Sequence, residues 1–293
     1  MVAFNGKRRL DGKQFAMLTR LVEELTQRVG TENLVFNNKY AEALKAMGFA
    51  DSLMRNRVSA LPDNCDLVVS VGGDGTFIKT ARWVGRREVP VLGINGGHLG
   101  YLSDTDLAGV NDFIDGIAFG NLSFEARTML YVKIENLWYE NTIYPYALNE
   151  VAVLRDDTAS MINIDAKLNG RELARYPADG LIVCTPTGST AYNLSVGGPV
   201  VAPETPALVI APVAPHALTM RPIVVPDTGI ISLNVSSRAE TFRLALDGRS
   251  ISLPLSAALE IRKADFRTII ARLTDTDFAH TLRTKLLWGV DPR

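Results

Sequence analysis

Val69-Ser70-Val71-Gly72-Gly73-Asp74-Gly75-Thr76, or VSVGGDGT, closes an apolar run that begins at Asp66. It opens a segment in which Phe77, Ile78, Ala81 and Val84 recur at helical spacing. A strand that passes through glycines into a helix is a unit of an open, mostly parallel sheet. Such sheets bind ligands at the carboxyl ends of their strands. The first turn of the following helix offers unpaired N–H groups and a positive dipole end, and glycines let anionic oxygens approach without a Cβ in the way. Three glycines around one carboxylate therefore predict a phosphate seat at Gly72, Gly73, Gly75 and Thr76. Asp74 would repel the phosphate itself, so it is expected to face an acceptor hydroxyl or a metal ion. A purely structural turn is the competing reading of this stretch taken alone. The chain holds neither GxxxxGK followed by Ser or Thr nor GxGxxG. A Walker A loop and a dinucleotide held as a hydride carrier thus have no support.

Upstream, Phe15, Leu18, Val22, Leu25 and Val29 place an amphipathic helix over 14–29. Leu34–Asn37 reads as a strand and Tyr40–Met47 as a helix ended by Gly48. Downstream, Val89–Ile94 is a strand and Val110–Phe119 a helix. This alternation predicts an α/β domain with an open, mostly parallel sheet over residues 1–120. The texture changes near residue 121. Leu130, Val132 and Ile134 alternate with polar residues, as do Ile162, Ile164, Ala166 and Leu168 before Asn169-Gly170, and Phe242, Leu244 and Leu246 before Asp247-Gly248. Asn-Gly and Asp-Gly after alternating strands are hairpin signals. A β-rich domain is expected over 121–262. The segment 263–293, with Phe278, Leu282, Leu286 and Leu287 among basic residues, is expected to pack back on the first domain as a short helix.

The 293 residues are 47% hydrophobic, enough for a packed core, and 31 basic against 32 acidic side chains leave a net charge of −1. That balance argues against a broad nucleic-acid footprint. Cys65 and Cys184 sit beside apolar runs and read as buried, inert thiols, with no disulfide framework or metal-ligand spacing. Five prolines and Glu204 break the apolar region Pro199–Pro215, so it is no membrane helix. The start, VAFNGKRRL, turns basic too soon for a signal peptide. A soluble, cytoplasmic protein without a regulatory extension is expected.

Three further stretches add to the glycine knot. Asn95-Gly96-Gly97-His98-Leu99-Gly100-Tyr101-Leu102 is a second glycine-rich loop after a strand. Asn149-Glu150 is a polar pair inside the apolar YALNEVAVL, for which a half-buried turn is the plain alternative. Thr185-Pro186-Thr187-Gly188-Ser189-Thr190-Ala191-Tyr192 follows the apolar strand Gly180–Cys184. Its hydroxyls and small side chains suit a sugar or a base.

At these residues the sequence resembles the NAD kinases over nearly its whole length. The resemblance rests on GGDGT at 72–76, NGGHLGYL at 95–102, LNE at 148–150, DGLIVCTPTGSTAY at 179–192, LSVGGPVV at 194–201, PHALTMRPIVV at 215–225, DG at 247–248 and LRTKLLWG at 282–289. GGDGT is shared with lipid kinases of the diacylglycerol and sphingosine type, whereas TPTGSTAY with PHALTMRP is far more specific. The resemblance implies an N-terminal α/β domain, a β-rich C-terminal domain and an active site in the cleft between them. It implies transfer of the γ-phosphoryl of ATP, or in some members of polyphosphate, to the 2′-hydroxyl of the adenosine ribose of NAD. A divalent ion, Mg²⁺ or Mn²⁺, would arrive with ATP. Asp74 would orient that hydroxyl and take its proton late. Tyr101 and Leu102 would line the adenine side, and Asn149 and Glu150 would hold adenine and ribose polar atoms. Thr187, Thr190, Ala191, Tyr192, Asn193, Leu194 and Ser195 would continue the base and ribose pocket. Pro177, Asp179 and Ala214 would lie at the nicotinamide end, and Arg249 would meet a phosphate, where members often carry Gln. Gly75 and Lys79, one turn into the helix, complete the expected NAD contacts. Ala178 stands before Asp179, where the family usually has Gly or Ser. Family members are commonly homodimers or homotetramers, with no nucleic-acid or membrane partner. A lipid kinase with an apolar acyl tunnel, or a dinucleotide sensor without catalysis, are the competing functions.

Overall fold

The structure is a computed structural model that describes residues 1–94, 100–103, 110–135, 143–156, 161–273 and 278–289. The chain divides into two compact units, Met1–Ala126 with Thr268–Arg293, and Arg127–Arg267.

The first unit is built on strands β1 (Val2–Gly6), β2 (Leu34–Asn37), β3 (Arg57–Val58), β4 (Leu67–Val71) and β5 (Val91–Ile94). They pair in parallel in the order β5-β4-β1-β2-β3. Every residue of β4 and β5 is buried, which is why both read as unbroken apolar runs rather than alternating ones. Helices α1 (Gly12–Val29), α2 (Asn38–Ala46), α3 (Asp74–Val84) and α4 (Val110–Phe119) belong to the same unit. Helix α1 starts at a capping box between Asp11 and Gln14 and buries Met17, Leu18, Leu21, Val22 and Leu25 along one stripe. Each of these buried side chains contributes about 2 kcal/mol. Phe4 and Phe36 stack at 4.9 Å beneath that stripe in the same core. The strand order reverses between β1 and β4. The chain leaves β1 toward β2 on one side, while β4 lies on the other. That reversal opens a crevice at the carboxyl ends of these two strands.

Strand β6 (Ser123–Glu135) carries the chain into the second unit. There follow β7 (Tyr146–Ala147), β8 (Glu150–Arg155), β9 (Ile162–Leu168), β10 (Arg171–Ala178) and β11 (Gly180–Cys184). After the short helix α5 (Tyr192–Ser195) come β12 (Ala207–Val213), β13 (Ile223–Pro226), β14 (Ile231–Ser236), β15 (Thr241–Leu246), β16 (Arg249–Pro254) and β17 (Ala258–Arg272). One sheet runs β13-β12-β11-β8-β15-β16, antiparallel throughout. In the other, β10, β9, β14 and the first part of β17 pair antiparallel. Inward residues of the two sheets, such as Val151, Val153, Leu181, Val183, Ile164, Leu233 and Ile261, share one core. The outer face of the first sheet buries Ala152, Ile182, Cys184, Val209 and Ala211, so β11 is apolar on both sides. The two-residue turns Asn169-Gly170 and Asp247-Gly248 close hairpins with positive φ at both positions, 51° and 76°, then 47° and 76°.

The chain returns to the first unit through the end of β17, where Ile270 and Ala271 pair in parallel with Val91 and Leu92. Helix α6 (Phe278–Lys285) follows, and Lys285 Nζ donates to the Ser103 carbonyl at 3.1 Å. The observed divisions fall at 126/127 and 267/268. They lie inside β6 and β17, strands long enough to serve both units. Among the described residues no helix is long and apolar enough to cross a membrane.

Candidate functional site

On the first unit the glycine knot holds Asp74 at the start of α3, whose N-cap is Gly73 and carries no side-chain cap. Gly72 has φ 146°, and a Cβ there would meet Thr76 Oγ1 at 2.6 Å, so only glycine lets the chain fold back over the first turn. Asp74 is half-buried and tied on both oxygens. Oδ2 accepts the Tyr101 N–H at 2.8 Å and Oδ1 accepts the Leu102 N–H at 3.1 Å. The two expected loops thus meet through this carboxylate. Each oxygen keeps a further lone pair, so the group can still accept from a hydroxyl. The Tyr101 hydroxyl is buried with no partner, and burial followed by the Asp74 charge raises its pKa. Residues Asn95–Leu99 of the second loop lie outside the described residues.

The crevice at the strand reversal is a cleft of about 940 Å³. Lys7, Arg8, Lys39, Lys79 and Arg82 line it against the single acid Glu42. Among the described residues none of these five cations is in an ion pair. Tyr40, 2% exposed, also lines the cleft, and its hydroxyl has no hydrogen-bond partner. Thr76 and Lys79 of α3 belong to the wall, so the phosphate seat and the cleft share a helix. Lys79, expected against NAD, stands with this cationic group. Sequence reasoning named none of the other four cations. The signal for Lys7 and Arg8 was the basic run directly after the first apolar strand.

On the second unit Leu148-Asn149-Glu150 forms a turn at the head of β8. Its backbone N–H groups donate to Asp247, at 2.8 Å from Leu148 and from Asn149 and 3.2 Å from Glu150. Gly188 lies so close that a Cβ would overlap the Asn149 backbone, which brings the 185–195 segment against the turn. Thr187 and Thr190 lie in a 3-10 turn, with Thr187 buried, and Tyr192 is 37% exposed. Ala191 and Leu194 are half-buried and Ser195 is exposed. Asn193, expected to line the pocket, has no exposed surface. Its Nδ2 donates to the Ser189 and Pro199 carbonyls, both at 3.0 Å, and it holds the segment in shape from behind. Arg249, expected at a phosphate, donates to the carbonyls of Tyr144 at 3.0 Å and Tyr146 at 2.8 Å.

Glu150 is 9% exposed, and one of its oxygens is buried without a partner. Burial first, and then the Asp247 charge, push its pKa up to about 7, while the Tyr192 backbone N–H pulls the other way. An acid raised above its unfolded value favours the folded state at low pH, and this stability is lost as pH rises from about 4.5 through about 7. The loss is on the order of 3 kcal/mol. Urea unfolding at pH 5 and pH 8 should show the wild type losing that much more stability across the interval than Glu150→Gln. Equal losses in both proteins would refute the raised pKa.

A third group lies elsewhere. Asp179 pairs with Arg155 at 3.1 Å and donates its N–H to the Val213 carbonyl at 3.0 Å, next to Ala214. Pro177 accepts from the His216 N–H at 2.9 Å. Ala214 is exposed at φ 45°, a left-handed conformation that costs an alanine about 1 kcal/mol or more. Glu150 pairs with Cys184 and Leu154 with Gly180, so these residues and the Asn149–Glu150 turn sit at opposite ends of β11. The separation is roughly 17 Å at the usual rise per residue.

Cations at a parallel-sheet crevice suit the handling of phosphate chains, and small hydroxyl and amide side chains suit a nucleoside. Those are the two needs of a small-molecule kinase. The ATP-NAD kinase N-terminal domain matches residues 12–121 and the ATP-NAD kinase C-terminal domain residues 148–273. An NAD kinase from Bacteroides fragilis is 45% identical over 230 residues, covering 78% of this chain and 79% of its own. One from Porphyromonas gingivalis is 44% identical over 236 residues, 80% and 81% of the two chains. Among solved structures, an NAD kinase from Archaeoglobus fulgidus in complex with ATP superimposes with a TM-score of 0.70 at 25% identity, covering 99% of this chain and 98% of that one. A yeast NADH kinase complexed with NADH shares the fold, with a TM-score of 0.86 at 23% identity over 100% of this chain and 89% of that one. The chain belongs to the NAD kinase family, and it is an enzyme.

Proposed function

We propose that the chain transfers the γ-phosphoryl group of ATP to the 2′-hydroxyl of the adenosine ribose of NAD, giving NADP. The observation that carries this reading is Asp74, fixed through both oxygens at the mouth of α3, the helix that also gives Thr76 and Lys79 to the cationic cleft. Phosphoryl transfer has a loose transition state, so positioning and charge stabilisation supply most of the rate. Asp74 accepts the hydroxyl's hydrogen bond and aims its oxygen at the γ-phosphorus. As the new P–O bond forms, the bond to the β-phosphate oxygen breaks and ADP leaves. The proton passes late to Asp74. The donor's phosphate chain lies in the cleft against Lys7, Arg8, Lys79 and Arg82, where inorganic polyphosphate presents the same anionic oxygens. Asn149, Glu150 and the 187–195 segment hold the adenosine, with Tyr192 packed on a ring, and Asp179 with Ala214 takes the nicotinamide end.

A divalent ion, Mg²⁺ or Mn²⁺, would be held by the donor's phosphates and not by side chains of this chain. Among the described residues no group of three or more His, Cys, Asp or Glu is placed to hold a metal, and the cleft's cations and amides suit phosphate oxygens, not a bare cation. When bound, the ion neutralises charge on the phosphate oxygens. The enzyme works in the cytoplasm as a homodimer or homotetramer, where its buried free thiols, Cys65 and Cys184, persist reduced.

Purified protein with Mg²⁺, ATP or polyphosphate, and NAD or NADH should form the 2′-phosphorylated dinucleotide. Phosphorylation of diacylglycerol in place of NAD would support the lipid-kinase alternative. NAD binding without any NADP would support a sensor.

A further inference from the structure

The Asn149–Glu150 turn is held by side chains that have no place in the reaction above. Its three backbone N–H groups all donate to one carboxylate, that of Asp247. The Glu150 carbonyl accepts the Asp247 N–H at 3.2 Å, and the carbonyls of Leu148 and Asn149 go to Thr185. Thr185 Oγ1 donates to the Leu148 carbonyl at 2.6 Å, and the Thr185 N–H donates to the Asn149 carbonyl at 2.9 Å. The same hydroxyl accepts the Gly188 N–H at 3.0 Å, which joins the turn to the hydroxyl-rich segment. Thr185 is fully buried, and its hydroxyl also lies 3.4 Å from the Asn149 carbonyl. On the flank of the turn, Arg249 anchors the Tyr144 and Tyr146 carbonyls. Asp247 is the first residue of the two-residue hairpin turn and Arg249 follows it, and both side chains reach back to the segment 144–150 of the chain.

We infer that Asp247 and Thr185 are positioning residues for the nucleoside: together they lock the peptide groups of Leu148-Asn149-Glu150, so that the Asn149 and Glu150 side chains are presented in one fixed geometry. This rests on the reading that those two side chains contact NAD. A lone turn with three adjacent N–H groups samples many conformations, and binding would have to order it each time. Locking it beforehand removes that ordering from the binding step. The carboxylate is the suitable lock because it is an acceptor only and has room for all three donors.

The test compares Asp247→Asn, Thr185→Val and Thr185→Ser with the wild type in steady-state kinetics, with melting temperatures measured alongside. An amide at 247 sets N–H groups against N–H donors, valine removes the hydroxyl at constant shape, and serine restores it. Losing hydrogen bonds to a charged group at this turn should raise KM for NAD roughly ten- to a hundredfold in Asp247→Asn. Thr185→Val should raise it about threefold to tenfold, and Thr185→Ser should return to the wild-type value. KM for ATP should stay within about twofold throughout, since the locked turn belongs to the NAD side. If the Asp247 variant does not fold, the Val and Ser pair at 185 decides. Unchanged KM for NAD in the folded variants overturns the inference, as does a parallel rise in both KM values that tracks the melting temperature. Asn149→Ala separates this from the reading beneath it. A raised KM in that variant with silent Asp247 and Thr185 variants overturns the positioning role alone. A silent Asn149→Ala overturns the nucleoside contact and the inference with it.

Discussion

Asp74→Asn should lower kcat by at least about 10²-fold, the usual contribution of a positioned general base. The amide retains the size of the side chain but not its ability to take a proton. It also places an NH₂ where the native carboxylate accepts one of the two N–H groups of Tyr101 and Leu102. One of those donors then loses its acceptor, and the 101–102 backbone shifts. The affinity for NAD should therefore weaken as well, by about tenfold, since one hydrogen bond to a charged group is worth about 1.5 kcal/mol or more. Measuring kcat beside the NAD dissociation constant separates the two effects. Asp74→Glu keeps the charge and moves it along the chain. It should fall between wild type and Asn if proton acceptance matters, and match Asn if only placement does. A kcat near the wild-type value in Asp74→Asn would remove this residue from the chemistry.

The second large effect is expected at the cleft. Removing one exposed cation weakens an anion by only a few-fold, because solvent screens it. Reversing two, in Arg8→Glu with Lys79→Glu, sets carboxylates against phosphates, and such like-charge contacts cost several kcal/mol. KM for ATP should rise about a hundredfold. KM for NAD should change less than about twofold, and the dependence of ATP affinity on salt should flatten. Both residues line the cleft on the first unit, neither is in an ion pair among the described residues, and neither is buried, so the fold should tolerate the change. An unaltered KM for ATP would empty the cleft of its proposed role.

The parts of this enzyme that were legible in the sequence are local. The glycine knot announces itself because an N-terminal helix turn with a residue at φ 146° admits no side chain. The hairpins at Asn169-Gly170 and Asp247-Gly248 are legible for the same reason, since positive φ at two successive residues is a demand on those residues alone. The helix over 14–29 follows from the spacing of its buried stripe, and the structure begins it two residues earlier, at Gly12, where Asp11 supplies the cap. The hydroxyl-rich segment was legible as a polar pocket, but not residue by residue. Asn193 reads like Ser189 or Thr190 in sequence, and only packing turns its amide inward to hold Pro199.

What the sequence determined by itself is therefore the main helices and strands of the first unit, the two hairpin turns and the family, because these depend on backbone sterics and on periodicities that span a few residues. What only the tertiary structure decided is which distant groups act together. Lys7, Lys39 and Lys79 look like three solvated lysines until the parallel order β4-β1-β2 brings the ends of their strands to one crevice. Asp247 looks like a turn residue until the pairing of β15 with β8 sets it under Asn149. Hydrogen bonds and Coulomb forces act over a few ångströms of space and are blind to separation along the chain, so such groupings have no period in the sequence from which to read them.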